Sequence, residues 1–151
     1  MVITLYVNNI IDKMKAVSHR EVAAIEDVEA RYRVEAGSEK IDDINGCVSD
    51  AYKRLLSRCT RFLKDSFYNA KDNNPSIPTE YVIELSLSER RAINKADPIE
   101  EAMNTFLVEY ALSKFYSIVS MGDLSNKHSL LALEAGGVLD QLLYTKQPPR
   151  V

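Results

Sequence analysis

The chain has 151 residues, 46% of them hydrophobic and 27% charged, with a formal net charge of −3. This is the size and balance of one globular domain able to bury about 70% of its unfolded surface, with no need of a metal or disulfide staple. No apolar run approaches the ~18 residues of a membrane span, and the Met-Val-Ile start lacks the basic flank of a signal peptide, so a cytoplasmic protein is expected.

Few glycines and prolines, five of each, favour helix. Ile3, Tyr6, Val7, Ile10, Ile11, Met14 and Val17 recur at helical spacing and predict a first helix. Ile3, Leu5 and Val7 also alternate, which leaves a short strand over 2–7 open. Ser18-His-Arg-Glu21 has the form of a capping box and predicts a second, peripheral helix ending near Gly37. A third helix is expected from about residue 41 or 43 to about 69, on the stripe Ile44, Val48, Tyr52, Leu55, Leu56, Cys59, Phe62, Leu63 and Phe67. Cys47 and Cys59 on it stand about 18 Å apart at ~1.5 Å per residue, too far for a disulfide, so both read as reduced thiols.

Residues 71–80 read as a polar loop with two prolines. Tyr81, Ile83, Leu85 and Leu87 alternate with smaller or polar residues and predict a short extended segment. Asp97-Pro-Ile-Glu100 marks a helix start, with Asp at the N-cap and Pro at the first helical position. That helix is expected to reach about Ser120 and stop at Gly122. Its apolar positions, Ile99 to Val119, cover more than half its circumference, so it should be surrounded on several sides. A last helix begins at Asp123 or Ser125 and carries Gly136-Gly137, which implies a close approach or a break. Residues 146–151 read as a loose tail. The predicted fold is a single all-α domain over 1–151: four to five helices, a long partly extended connection over 71–97, and at most a short β element.

No chemical signature stands out. His19 and His128 have no metal-ligand spacing, no CxxC occurs, and the phosphate-loop and nucleophile-elbow motifs are missing. His19 reads as a helix-start residue and His128 as a surface residue. The acidic groups Glu26-Asp27-Glu29, Asp42-Asp43 and Glu100-Glu101 fit helix N-termini or polar faces. The expectation is therefore no catalytic residue, no metal and no cofactor.

Charge is uneven. Residues 12–50 hold six basic and ten acidic side chains, whereas 51–71 hold six basic and one acidic. Arg54, Arg58 and Arg61 fall at i, i+4 and i+7 and are candidates for contact with phosphate or with an acidic partner. Pairing with the acidic second helix, in the same or a neighbouring chain, is favoured over nucleic acid because the chain is acidic overall. Arg90-Arg91 is a slighter basic pair. The overfull apolar helix and an aromatic set, Tyr81, Tyr110, Phe115 and Tyr116, point to an interface, hence to a homo-oligomer and contacts with other protein subunits.

Two hydrophobic helices, 43–69 and 98–120, joined by a partly extended segment 71–97, resemble in layout the small helical head–tail connector (adaptor) proteins of phages and prophages. The stretch Phe106-Leu-Val-Glu-Tyr-Ala-Leu-Ser-Lys-Phe-Tyr116 is similar to the apolar helix of such proteins. The resemblance implies a ring-forming virion component that touches portal and tail proteins, and it carries over no catalytic residue. The leading expectation is a non-enzymatic oligomeric structural protein. The alternative is a nucleic-acid-binding or regulatory module using Arg54, Arg58 and Arg61.

Overall fold

The computed structural model describes residues 1–71, 74–88, 92 and 94–144, with side chains omitted at 68–71 and 74–77. The order is β1 (Val2–Tyr6), α1 (Val7–Val22), α2 (Val28–Val34), a 3-10 turn (Ser38–Lys40), α3 (Ile41–Arg58), β2 (Leu63–Lys71), β3 (Asn74–Leu85), α4 (Ala96–Ile118) and α5 (Gly122–Tyr144). The chain is mostly helical, as expected. Its three-stranded antiparallel sheet, ordered β1-β3-β2, is more β structure than the all-α reading allowed.

The open choice at the N-terminus resolves into both elements in succession. Val-Ile-Thr-Leu-Tyr is rich in residues that favour pleated backbone. It pairs with β3 so that Ile3 faces Ile83 and Leu5 faces Tyr81, with Ile3 and Leu5 in the core and Val2 and Tyr6 outside. The helix begins at Val7 and buries Val7, Ile10, Ile11, Met14, Ser18 and Val22. Ser18 therefore does not cap a second helix. It lies on the buried face of α1, and its hydroxyl accepts the Ala36 N–H at 2.8 Å. The cap of α2 is Asp27, whose carboxylate accepts from the Glu29 N–H. The peripheral character of α2 is as expected, since it buries no residue.

The third helix is shorter than its apolar stripe implied. It ends at Arg58, not near residue 69. Thr60 donates its hydroxyl to the carbonyls of Leu56 and Ser57, which satisfies the last turn and releases the chain. Residues 63–71 then form β2 along β3. The expected loop over 71–80 is likewise largely strand, because β3 begins at Asn74. The two prolines of β3 sit where the pairing is irregular, with register shifts at Asn69/Ala70 and Ala70/Lys71, the setting in which a strand tolerates proline.

The cap of α4 is Lys95, two residues before the expected Asp97, and the helix starts at Ala96. It buries Ile99, Ala102, Met103, Phe106, Leu107, Val108, Ala111, Leu112, Ser113, Phe115 and Tyr116, which is nearly its whole circumference. Its packing partners are α5, α3, α1 and β1, so its apolar surface is enclosed by its own chain except at Ile118, which is 56% exposed. Helix α4 is closed by Ser120, not by Gly122. Ser120 is left-handed, at φ 63°. The Met121 N–H reaches the Tyr116 carbonyl and the Ser120 N–H the Ser117 carbonyl, the bonding pattern of a Schellman motif. Gly122 instead opens α5, which runs unbroken through Gly136-Gly137.

Candidate functional sites

The three arginines do not form one face. Arg54 is exposed on α3, and Arg61 lies beyond the helix end, its guanidinium 5.8 Å from the Tyr144 ring centre. Arg58 turns into the domain. Its Nε donates to the Gly136 carbonyl at 3.1 Å and to Asp140 at 3.2 Å, and its guanidinium stands 5.8 Å from the Phe106 ring centre. Its acidic partner thus belongs to α5, not to the acidic second helix. Arg90 and Arg91 lie outside the described residues.

The same contact accounts for one of the two glycines. A Cβ at Gly136 would fall 2.5 Å from Arg58 Cζ, whereas a Cβ at Gly137 meets nothing within 4 Å. Gly136 is therefore a close approach, and no break is present. The two positions should respond with opposite signs. Gly137→Ala is expected to add about 1 kcal/mol of stability through helix propensity. Gly136→Ala is expected to lose about 1 kcal/mol, because displacing Arg58 costs a charge-assisted bond worth ~1.5–3 kcal/mol. Chemical denaturation of the two variants checks this.

The aromatic interface set is also mostly internal. Phe115 and Tyr116 are 0% exposed and Tyr81 is buried; only Tyr110 of the four is part-exposed. The reason is that α1, α3 and α5 pack around α4, and Tyr81 stacks on Tyr52 of α3, so these aromatics are covered by their own chain. The solvent-facing apolar residues lie elsewhere. On α5, Leu130 is 67% and Leu133 64% exposed, with Val138 and Tyr144 also well exposed. Leu130, Leu133, Gly137 and Tyr144 fall at i, i+3, i+7 and i+14, one stripe of the helix.

His128 is not a surface residue. It is 1% exposed and bridges three helices. Nε2 lies 2.7 Å from Glu21 of α1, and Nδ1 contacts Glu109 of α4. Carboxylates only accept, so both ring nitrogens carry protons and the ring is an imidazolium. Burial works against that charge, and the hydrogen bonds to Glu109 and Glu21 outweigh it, so the His128 pKa is raised. Burial likewise raises Glu21, but Lys127 at 2.8 Å, His128 and the Tyr116 hydroxyl at 3.1 Å together hold it below the ordinary carboxylate value. The cluster is a buried ionic tie. Neither of the two grooves described, lined by Tyr52 and by Tyr6, includes it.

His19, by contrast, is exposed in the last turn of α1 and contacts Glu35 at 2.6 Å. Cys47 and Cys59 are free and fully buried. Burial first, then nearby aspartates, push the thiols up to about 11 and about 12 respectively, so both are neutral and unreactive at pH 7. Among the described residues no three His, Cys, Asp or Glu side chains converge as metal ligands, and no helix is long and apolar enough to cross a membrane.

A groove of about 880 Å³ lies between α3 and the sheet. Asp42, Asn45, Gly46, Ser49, Lys53 and Leu56 line its helical side. Tyr52 of α3 stacks on Tyr81 of β3 with ring centres 3.8 Å apart and 9° between planes. Ser66, Phe67 and Pro78 complete the sheet side. Two buried polar atoms here lack a hydrogen-bond partner, Asn45 Oδ1 and the Tyr52 hydroxyl. Burial raises the Tyr52 pKa; the nearby Ser66 hydroxyl eases it without reaching hydrogen-bond geometry. Each such orphan costs about 1–3 kcal/mol, and among the described residues these are the two buried side-chain polar atoms without a partner. Composition gave no signal of the groove, because its residues come from segments that meet only in the fold.

No family model, curated protein or solved structure matches this chain.

Proposed function

We propose that this chain is a non-enzymatic structural protein that self-associates through the outer face of α5. The carrying observation is the stripe Leu130, Leu133, Gly137 and Tyr144, whose two leucines are about two-thirds exposed. Exposed leucines at adjacent turns of one helix need a cover, and single scattered ones do not. The occupant we assign is a second copy. Leu130 and Gly137 lie two turns apart on the stripe. Gly137 has open space where a side chain would stand. In an antiparallel pair, Leu130 of each copy seats over Gly137 of the other, so one patch serves both partners, as a two-fold contact requires.

The setting we assign, a virion neck or tail component, rests on the resemblance in layout to phage and prophage head–tail connector proteins. That resemblance takes helices over 43–69 and 98–120; α4 falls on the second, whereas α3 stops at Arg58 and β2 takes up Leu63–Lys71. Neighbouring genes for portal, capsid or tail proteins would support this setting; neighbours of unrelated metabolism would count against it.

The association itself is tested by mass in solution. Light scattering should give at least twice the chain mass at tens of micromolar protein. The double variant Leu130→Glu/Leu133→Glu should run as a monomer with an unchanged helical circular-dichroism spectrum. A wild-type chain that stays monomeric at millimolar concentration ends the proposal.

A further inference from the structure

We infer that the open edge of β1 pairs with β1 of a second copy, antiparallel and centred on Thr4, so that two three-stranded sheets become one continuous sheet. This contact is separate from the one proposed on α5. The hydrogen-bond phase of the sheet identifies the groups at that edge. Met1 and Leu85 bond each other in both directions: the Met1 nitrogen donates to the Leu85 carbonyl at 3.1 Å, and the Leu85 N–H to the Met1 carbonyl at 2.7 Å. Bonded pairs recur at every second residue of an antiparallel ladder, so Ile3 with Ile83 and Leu5 with Tyr81 are the next ones. The backbone N–H and C=O groups of Val2, Thr4 and Tyr6 therefore point away from β3. Among the described residues no other strand lies beside β1.

The two edges of the sheet are protected differently. On the far edge, β2 carries Lys64 and Asp65, and its register with β3 shifts there and again beyond Asn69. Charges and bulges are the usual defences of an exposed edge. β1 has no charge and no proline, and it pairs with β3 residue for residue. The occupant is a second copy because this strand complements itself. About a two-fold axis through Thr4, Val2 stands opposite Tyr6 of the other copy and Thr4 opposite Thr4. Aromatic with β-branched and Thr with Thr are favoured cross-strand pairs. They cover Val2 and Tyr6, which are 62% and 52% exposed on the outer face. On the inner face Ile3 meets Leu5 of the other copy, which carries the core face across the join. Short two-stranded ribbons are marginal alone, so at tens of micromolar this contact joins copies already paired through α5. Two different two-fold contacts on one chain then build an assembly larger than a dimer.

The test is oxidative cross-linking of introduced cysteines by copper phenanthroline, in the full chain carrying Leu130→Glu/Leu133→Glu so that α5 contributes nothing, at hundreds of micromolar protein. Val2, Thr4 and Tyr6 lie on the outer face, so their replacement leaves the core intact, and Cys47 and Cys59 are buried. Opposed residues of a bonded pair have Cα atoms about 5.5 Å apart, within disulfide reach, whereas Val2 lies four residues from Val2 of the other copy, about 13 Å. Thr4→Cys should therefore form a linked dimer about tenfold faster than Val2→Cys. An equal mixture of Val2→Cys and Tyr6→Cys chains should give the mixed dimer at a rate comparable to Thr4→Cys. Equal rates for Thr4→Cys and Val2→Cys would mean random collision and overturn the inference, as would absence of a linked dimer from Thr4→Cys. Linking in this register by a chain whose wild type is monomeric would end the α5 reading and leave this one standing.

Discussion

Phe115→Ala is expected to cost about 3–5 kcal/mol of folding stability, the range for emptying a buried aromatic site. Phe115 is completely enclosed and meets Tyr116 edge-on, with ring centres 5.9 Å apart. A domain of this size has about 5–15 kcal/mol in total, so the variant should be marginal at 37 °C. The measurement is urea denaturation at low protein concentration, where association contributes little. The outcome separates two roles that the sequence left joined. An interface residue would change the mass in solution and leave monomer stability alone. Phe115 is expected to do the reverse, whereas the exposed Leu130 and Leu133 should behave as interface residues.

Loss of the buried imidazolium should be the next largest effect. His128→Ala is expected to lose about 3 kcal/mol, because it leaves Glu21 and Glu109 without their shared cation, and breaking a buried pair costs ~3–5 kcal/mol. The lower end applies because Glu21 and Glu109 retain some solvent contact, with side chains 11% and 17% exposed. The pH dependence carries a sign on each side. His128 has a raised pKa, so its contribution is complete below the ordinary imidazole value of 6.5 and disappears as pH rises through the folded value. Glu21 has a lowered pKa, so its contribution is complete above the ordinary carboxylate value of 4.5 and disappears as pH falls through its folded value. The groups around the ring are Glu21 from α1 and Glu109 and the stacked Tyr116 ring from α4, while the Tyr116 hydroxyl and Lys127 of α5 both donate to Glu21. Stability should therefore be greatest between those two limits and decline on both sides. Denaturation midpoints from pH 4 to 9 should show the alkaline decline in the wild type and its loss in His128→Ala. An alkaline limb that persists unchanged in the variant would assign the titration to another group.

The presence of helices was legible where periodicity was strong, and their ends were not. Helices α1 and α4 follow from their own spacing, and α5 is continuous despite two glycines because its packing outweighs a weak propensity penalty. The strand β2 was not legible. Its Ser66 pairs with the buried Ile83 while Phe67 points outward and is half exposed, so apolar and polar residues occupy the opposite faces from those a strand pattern predicts. Leu63 and Phe67 meanwhile extend the helical spacing of α3. The choice between helix and strand there is made by β3, a partner that local pattern does not contain. His128 shows the same limit for sites. Its partners are 19 and 107 residues away along the chain, so nothing around Lys127-His128-Ser129 announces a charge buried under three helices. The arginine stripe failed for a simpler reason: i, i+4, i+7 spacing defines a face only while the helix lasts, and α3 stops at Arg58.

The placement of β1 has a consequence for biogenesis. Among the described residues β1 pairs with β3 alone, and β3 closes at Leu85. As a nascent polypeptide emerges from the ribosome, Val-Ile-Thr-Leu-Tyr must therefore wait until Glu80 to Glu84 have been translated before its backbone amides find their partners. Throughout that interval a β-prone, uncharged pentapeptide stands open to pairing with other chains. The α4–α5 hairpin, by contrast, closes through near neighbours within moments of synthesis. Slower translation should lengthen the vulnerable period of the amino-terminal segment and leave the carboxy-terminal hairpin untouched.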